Sequence, residues 1–348
     1  MVIEITKAVL EELYSLNRSE FEKLAYLISK NIGENIFASK STQNFIYLNL
    51  QTCLFLIKNY EAKELQIYYD NLHDILSSVS KLKRIVIVPQ NKSTKEIEVE
   101  YDYDFVTELL IKPIKIILEN INDKKIYDII IREYIKDNNG LAVNLDYQNG
   151  NGNQTAKTLE RNIEEKKISL IITDCDKKYL GEENGSSTPA KVKKVIDQKK
   201  FFCEHIVINY KNVEGLIPYR FVIDNLDSKI KISFDKVYKK SEDKEWLNFF
   251  DFKKGIKKNL RSESSGGIVS SSVEWWNSKL KLEVCILKFI ETVSEIDIFK
   301  TGVPVSLMEK PMNGIIFRDK SSEEQKKEYR RISNTVYPWV VSNDYVIT

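Results

Sequence analysis

The residues of this chain best suited to chemistry are acidic side chains at the ends of apolar runs, and they fall within one stretch. Glu119 directly follows the run IKIIL, and Asp123 comes four residues later in LENIND. Asp174 and Asp176 close the most apolar run, in LIITDCDKK, and Glu214 stands in NYKNVEGLIP a few residues past HIVIN. Carboxylates gathered in one place repel one another unless a cation neutralises them. Mg²⁺ is the expected cation, with Mn²⁺ as its substitute, because it prefers oxygen ligands and keeps waters that phosphate oxygens replace. Two such ions about 4 Å apart stabilise both the attacking and the leaving oxygen of a phosphodiester. Lys177 and Lys178, next along the chain, are candidates for contact with substrate phosphates.

The rest of the inventory narrows the chemistry. Only two histidines occur, His73 and His205, so a set of imidazole ligands is excluded and carboxylates are left as the metal ligands. The four cysteines, Cys53, Cys175, Cys203 and Cys285, form no CxxC pair, which argues against a zinc site and a disulfide framework. No GxxxxGK[ST] motif is present, so an ATPase or sensor partner would be a separate chain. The net charge of +2, from 53 basic and 51 acidic residues, neither demands nor excludes a polyanionic partner. Basic clusters at 191–200 and 253–261 read as solvated helix faces. Trp275 and Trp276 read as core or interface anchors, not base-stacking platforms.

These residues need elements to position them. With 348 residues, 42% of them hydrophobic and 30% charged, the chain is expected to form two or three globular units. From residue 114 the pattern alternates: IKIIL, the helical DKKIYDIIIREYIK, LAVNLD, a helix over 154–165, ISLIIT, a helix begun by Thr188 and Pro189, and HIVIN. That alternation predicts an α/β fold with a mostly parallel sheet, whose strand carboxyl ends form one ligand-binding edge. All the acidic positions fall on that edge. Residues two apart in extended chain point the same way, so Asp174 and Asp176 are expected to share a face. The NGNG segment at 149–152 reads as a left-handed turn rather than a phosphate cradle.

Before this domain, residues 4–80 read as helical, with a capping box at Ser19 and Glu22 and a stop at Gly33. RIVIVP and EIEVEYD read as a β-hairpin. The expected division is a helical N-terminal module ending in that hairpin (1–108), the α/β domain (109–235) and a helical C-terminal module (236–348). No signal-peptide pattern and no run of 18 apolar residues occurs, so a cytoplasmic location without a membrane partner is expected.

The order of these motifs resembles a known family. Glu119 after an apolar strand, a helix, the NGNG turn and a strand ending in Asp-x-Asp resemble the TOPRIM domain of topoisomerases, bacterial primases and OLD-family nucleases. ENIND, DCDKKY and NVEGLIP resemble segments of the stand-alone TOPRIM proteins of bacterial anti-phage defence. The likeness covers about 110 residues and its motifs are short. It implies that Glu119 is the catalytic acid or a metal ligand, that Asp174 and Asp176 are the principal ligands, and that Asp123 and Glu214 are further ones. Asn120 stands where the family usually has glycine, which bears on the tightness of that turn. The resemblance implies a Mg²⁺-dependent endonuclease acting on DNA or RNA, and a homo-oligomer is expected from the flanking helices. The alternatives are a non-enzymatic defence adaptor with a vestigial acidic site, and a glycosyltransferase using Asp-x-Asp to hold a metal–nucleotide-sugar.

Overall fold

Short Val/Ile-rich runs separated by amphipathic helices build two parallel sheets in the computed structural model. It describes residues 1–37, 45–80, 82–92, 97–112, 114–135, 142–143, 145–177, 179–182, 187–199, 201–225, 245–251, 275–276, 278–279 and 311–342. The first sheet arises from β1 (Val2–Ile5), α1 (Lys7–Leu16), α2 (Arg18–Phe37), β2 (Phe45–Tyr47), α3 (Leu50–Asn59), α4 (Lys63–Asp70), α5 (Leu72–Val79), β3 (Arg84–Val88), β4 (Glu98–Glu100) and α6 (Tyr103–Ile111). Its strand order is β2-β1-β3-β4, and every pairing is parallel.

Two expectations for this half are corrected. Residues 1–108 are not a purely helical module, because VIEI at the start is a strand, with β2 and β3 on its two sides. The expected hairpin is absent as well: Val86 pairs with Glu98 and Val88 with Glu100 in parallel register. Nine residues separate β3 from β4, and such a length spans up to about 30 Å, enough to carry the chain back along the sheet. At the start of α2 the reciprocal cap forms two residues earlier than read. Asn17 Oδ1 accepts the Glu20 N–H at 3.2 Å, and Asn17 Nδ2 donates to the Glu20 carboxylate at 2.7 Å. The helix then runs through Gly33 to Phe37.

The second half follows as β5 (Lys115–Leu118), α7 (Lys124–Ile135), β6 (Ala142–Val143), β7 (Asp146–Asn149), α8 (Thr155–Glu164), β8 (Ser169–Thr173), α9 (Thr188–Lys199), β9 (Cys203–Val207), α10 (Tyr219–Asn225), α11 (Trp246–Phe249), α12 (Gly314–Lys320), α13 (Glu323–Val340) and β10 (Val341–Ser342). Its sheet has the order β7-β5-β8-β9, again all parallel. LAVNLD gives the sheet only its last residue, Asp146. Ala142 and Val143 pair antiparallel with β10, and the polar segment DYQN forms β7 beside β5.

All five residues of β8 are buried, as expected of a central strand covered on both faces. Ile117 and Ile171 pack with Leu159 of α8 and Val192 and Val195 of α9. Ile116, Leu118, Leu170 and Ile172 face the other way, into the core that holds Ile126 and Ile130 of α7 and Ile332 and Val336 of α13. Leu170, Ile171 and Ile172 alone contribute roughly 5–9 kcal/mol of gross burial, which fixes where β8 ends and its acidic turn begins. The described residues beyond 236 thus help to close one face of this sheet. Trp276 is buried and packs against Trp246 with ring centroids 6.5 Å apart, so it anchors core.

Candidate functional site

The strand order creates a crevice. From β5 the chain moves to β7 on one side and then, through α8, to β8 on the other, so the carboxyl ends of β5 and β8 diverge around a topological switch point. Glu119 is the first residue after β5, and Asp174 is the first after β8. The Glu119 carboxylate accepts the Asp174 backbone N–H at 3.1 Å, bridging the two strand ends. Asp123 lies in the 3-10 turn Ile121–Asp123 that leads into α7, and it is only 9% exposed. All three acids act on one group, the buried phenol of Tyr127. Burial pushes its pKa well above the ordinary value, and the negative charges of Asp174, Asp123 and Glu119 push it further.

Neighbouring backbone fixes the position of Glu119. Gly150 N–H donates to Leu118 O at 2.6 Å, and Gly152 N–H donates to Glu119 O at 2.7 Å. Asn151 and Gly152 are left-handed, at φ 60° and 58°. NGNG is therefore a left-handed turn that spends these two amides on the end of β5. Gly150 admits no side chain, since a Cβ would sit 2.5 Å from Thr155 Oγ1 and 2.7 Å from Leu118 O. Asn120 adopts extended backbone (φ −132°) and its side chain accepts the Asn122 N–H, so this turn needs no glycine.

Asp174 and Asp176 are not two positions of one extended strand, although both charges act on the Cys175 thiol between them. β8 ends at Thr173, Cys175 is buried, and Asp176 takes a left-handed φ of 59°, which breaks the alternation of an extended chain. The residue as a whole is exposed, yet its carboxyl lies against the amide of Thr188 at the start of α9 and near Lys211, Asp251 and Lys191. Loss of solvent around the carboxyl raises its pKa; the Thr188 N–H and the lysines oppose that rise, and Asp251 adds to it. Lys177 is half-buried with its amide bonded to the Cys175 thiol, and Lys178 lies outside the described residues.

Sequence reading missed the group next to Asp176. Cys175 N–H donates to Tyr210 O at 3.1 Å and Asp176 N–H to Lys211 O at 3.3 Å, stapling the turns after β8 and β9 together. Lys211 Nζ stands 3.7 Å from Asp251 Oδ2, and Asn212 Nδ2 donates to Asp251 Oδ1 at 3.2 Å, all three side chains being nearly buried. No sequence pattern signals a pair forty residues apart (251 − 211). Glu214 follows in the 3-10 turn Val213–Leu216, 6% exposed. His205 is structural in its contacts: its Nε2 lies 2.8 Å from Thr173 Oγ1.

The gathered donors are carboxylate oxygens, the ligand type that a hard divalent cation takes. Among the described residues no three His, Cys, Asp or Glu side chains converge closely enough to hold an ion as they stand. No helix of the described residues is long and apolar enough to cross a membrane. Comparison with family models, with curated proteins and with solved structures returns no match for this chain.

Proposed function

We propose that this chain is a Mg²⁺-dependent endonuclease that cleaves DNA or RNA as the effector of a bacterial anti-phage defence. The observation that carries the reading is the Glu119–Asp174 bridge, which puts two acids across the switch point of a parallel sheet, where ligands of such sheets bind. The TOPRIM resemblance of the same motifs supports it. Glu119 and Asp174 would hold the cation, with Asp123 beside them and Asp176 and Glu214 on the adjoining turns. Mg²⁺ commonly takes one or two protein carboxylates and fills its shell with water and phosphate, so a ready three-acid cage is not required. The bound cation supplies positive charge against the charge that develops on the phosphate oxygens. The chain's own part is to fix Glu119 through the NGNG amides and to offer Lys177 to the phosphate backbone. A separate ATPase or sensor chain and self-association belong to the same reading.

The test is cleavage of plasmid DNA and total RNA by the full chain with Mg²⁺, Mn²⁺ or EDTA, comparing wild type with Glu119→Gln and Asp174→Ala. Metal-dependent cleavage that drops on the order of 10²–10³-fold in both variants is expected, as when a group stabilising transition-state charge is removed. Intact nucleic acid under every metal, from folded wild-type protein that also binds no Mn²⁺ in a titration, would sink the reading.

A further inference from the structure

The turn that carries Glu214 is held from outside its own sheet, by one helix. Buried carbonyls of an irregular turn need donors that no strand ladder supplies. Here α13 supplies them: Gln325 Nε2 donates to Gly215 O at 3.0 Å and to Ile217 O at 2.7 Å, and the Tyr329 hydroxyl donates to Leu216 O at 2.5 Å. Three successive carbonyls are thereby taken by two side chains of one helix. The Gln325 amide is fixed in turn, because its Oε1 accepts the Tyr219 N–H at 3.3 Å and the Ser322 N–H at 3.2 Å. The side chain is fully buried, and both donors and both lone pairs are used. A carboxylate of the same length would lack the donors, and an aliphatic chain would leave buried carbonyls stranded.

The same helix reaches further. Glu328 accepts from the Asn209 backbone at 2.8 Å and from its side chain at 2.7 Å, just past β9. Ten residues on, Pro338 O accepts the Lys83 N–H at 3.2 Å, at the entry to β3. We infer that Gln325 and Tyr329 are positioning residues for Glu214, so that α13 sets the proposed cleavage site and joins it to the first sheet. The inference rests on the reading of Glu214 as a residue of that site.

A double-variant cycle on the full chain tests it, using wild type, Gln325→Ala, Glu214→Gln and the two combined in the Mg²⁺-dependent cleavage assay. Positioning predicts that Gln325→Ala lowers kcat about tenfold with KM for nucleic acid changed less than about twofold, and that the combined variant is no slower than Glu214→Gln. Tyr329→Phe keeps the ring and removes one donor, so it gives a smaller kcat loss of the same kind; it replaces Gln325→Ala in the cycle if that variant does not fold. Losses that multiply in the combined variant, or wild-type kcat in Gln325→Ala, overturn the inference. Full activity of Glu214→Gln where Asp174→Ala is dead overturns it too, while leaving the endonuclease reading in place. A wild-type chain that neither cleaves nor binds Mn²⁺ in a titration removes both.

Discussion

In each four-stranded sheet the first strand pairs with the second on one side and with the third on the other, and the fourth lies outside the third. The same wiring therefore opens the same crevice twice, and the residues just past the strands differ. In the first sheet Thr6 closes it: its N–H and its hydroxyl both donate to Ile87 O, at 3.3 and 2.8 Å. That bridge is neutral and satisfies itself. In the second sheet the bridge is a carboxylate reaching the backbone of another acid, with Asp123 alongside. Such a crevice carries charge that calls for a cation or a donor. Architecture supplies the crevice, and one residue beyond each strand decides whether it is sealed or equipped.

The largest structural effect should come from breaking what holds the second crevice open. Gly150→Ala places a methyl group 2.7 Å from Leu118 O and 2.5 Å from Thr155 Oγ1, and a forced fit of this kind costs about 2–3 kcal/mol. Urea denaturation should show that loss, and the displaced end of β5 should take the proposed cleavage down with it. Gly152→Ala meets nothing within 4 Å and suffers only its φ of +58°, so a cost of about 1 kcal/mol is expected. Equal losses in the two variants would show that the close approach of Gly150 is not what fixes Glu119.

The contrast between the halves also marks how far the sequence could be read. Long apolar runs and strong helix periods put β5, α7, α8 and β8 within a residue or two of where they lie, and those elements carry Glu119 and Asp174. The strands that escaped are short or polar. VIEI is four residues merging into a helix, and DYQN at the sheet edge is half-buried and so shows no apolar signal. Parallel pairing of β3 and β4 is a long-range choice that neither strand encodes by itself. At the site, first residues after strands and the left-handed NGNG turn were legible, whereas the turn after β8 and contacts made across the fold were not. Asp176 takes a left-handed backbone that no strand pattern foretells, and the Lys211–Asp251 pair and the Gln325 clasp are made by tertiary packing.

A smaller effect, and one confined to the second sheet, is a pH dependence. The strands of the first sheet contain no histidine, while β9 carries His205 against Thr173. Burial, aided by Lys193, lowers the His205 pKa to about 4, below the ordinary value of 6.5. Between these values the unfolded chain binds a proton that the folded chain does not, so stability falls as pH drops from 6.5 toward 4. Allowing for the partial exposure of the ring, the loss should be on the order of 1–2 kcal/mol. Urea midpoints at pH 7 and 4.5 should differ more for wild type than for His205→Gln; identical differences would mean that His205 is solvated enough to titrate normally.

The smallest effect should fall on the sealed crevice. Thr6→Val keeps the shape of the side chain and the backbone bond to Ile87 O but removes the hydroxyl donor. A single neutral hydrogen bond is worth about 1 kcal/mol net, and because the Ile87 carbonyl keeps its backbone partner, no buried acceptor is stranded. A drop in Tm of a few degrees at most is consistent with that for a chain of this size, and the proposed metal-dependent cleavage should be unchanged. Glu119→Gln should behave in the opposite way, losing activity with little change in Tm, because the amide keeps an oxygen to accept the Asp174 N–H while giving up the charge. If Thr6→Val depressed cleavage as far as Glu119→Gln does, the first crevice would have to belong to the reaction, and the division into a sealed and an equipped sheet would fail.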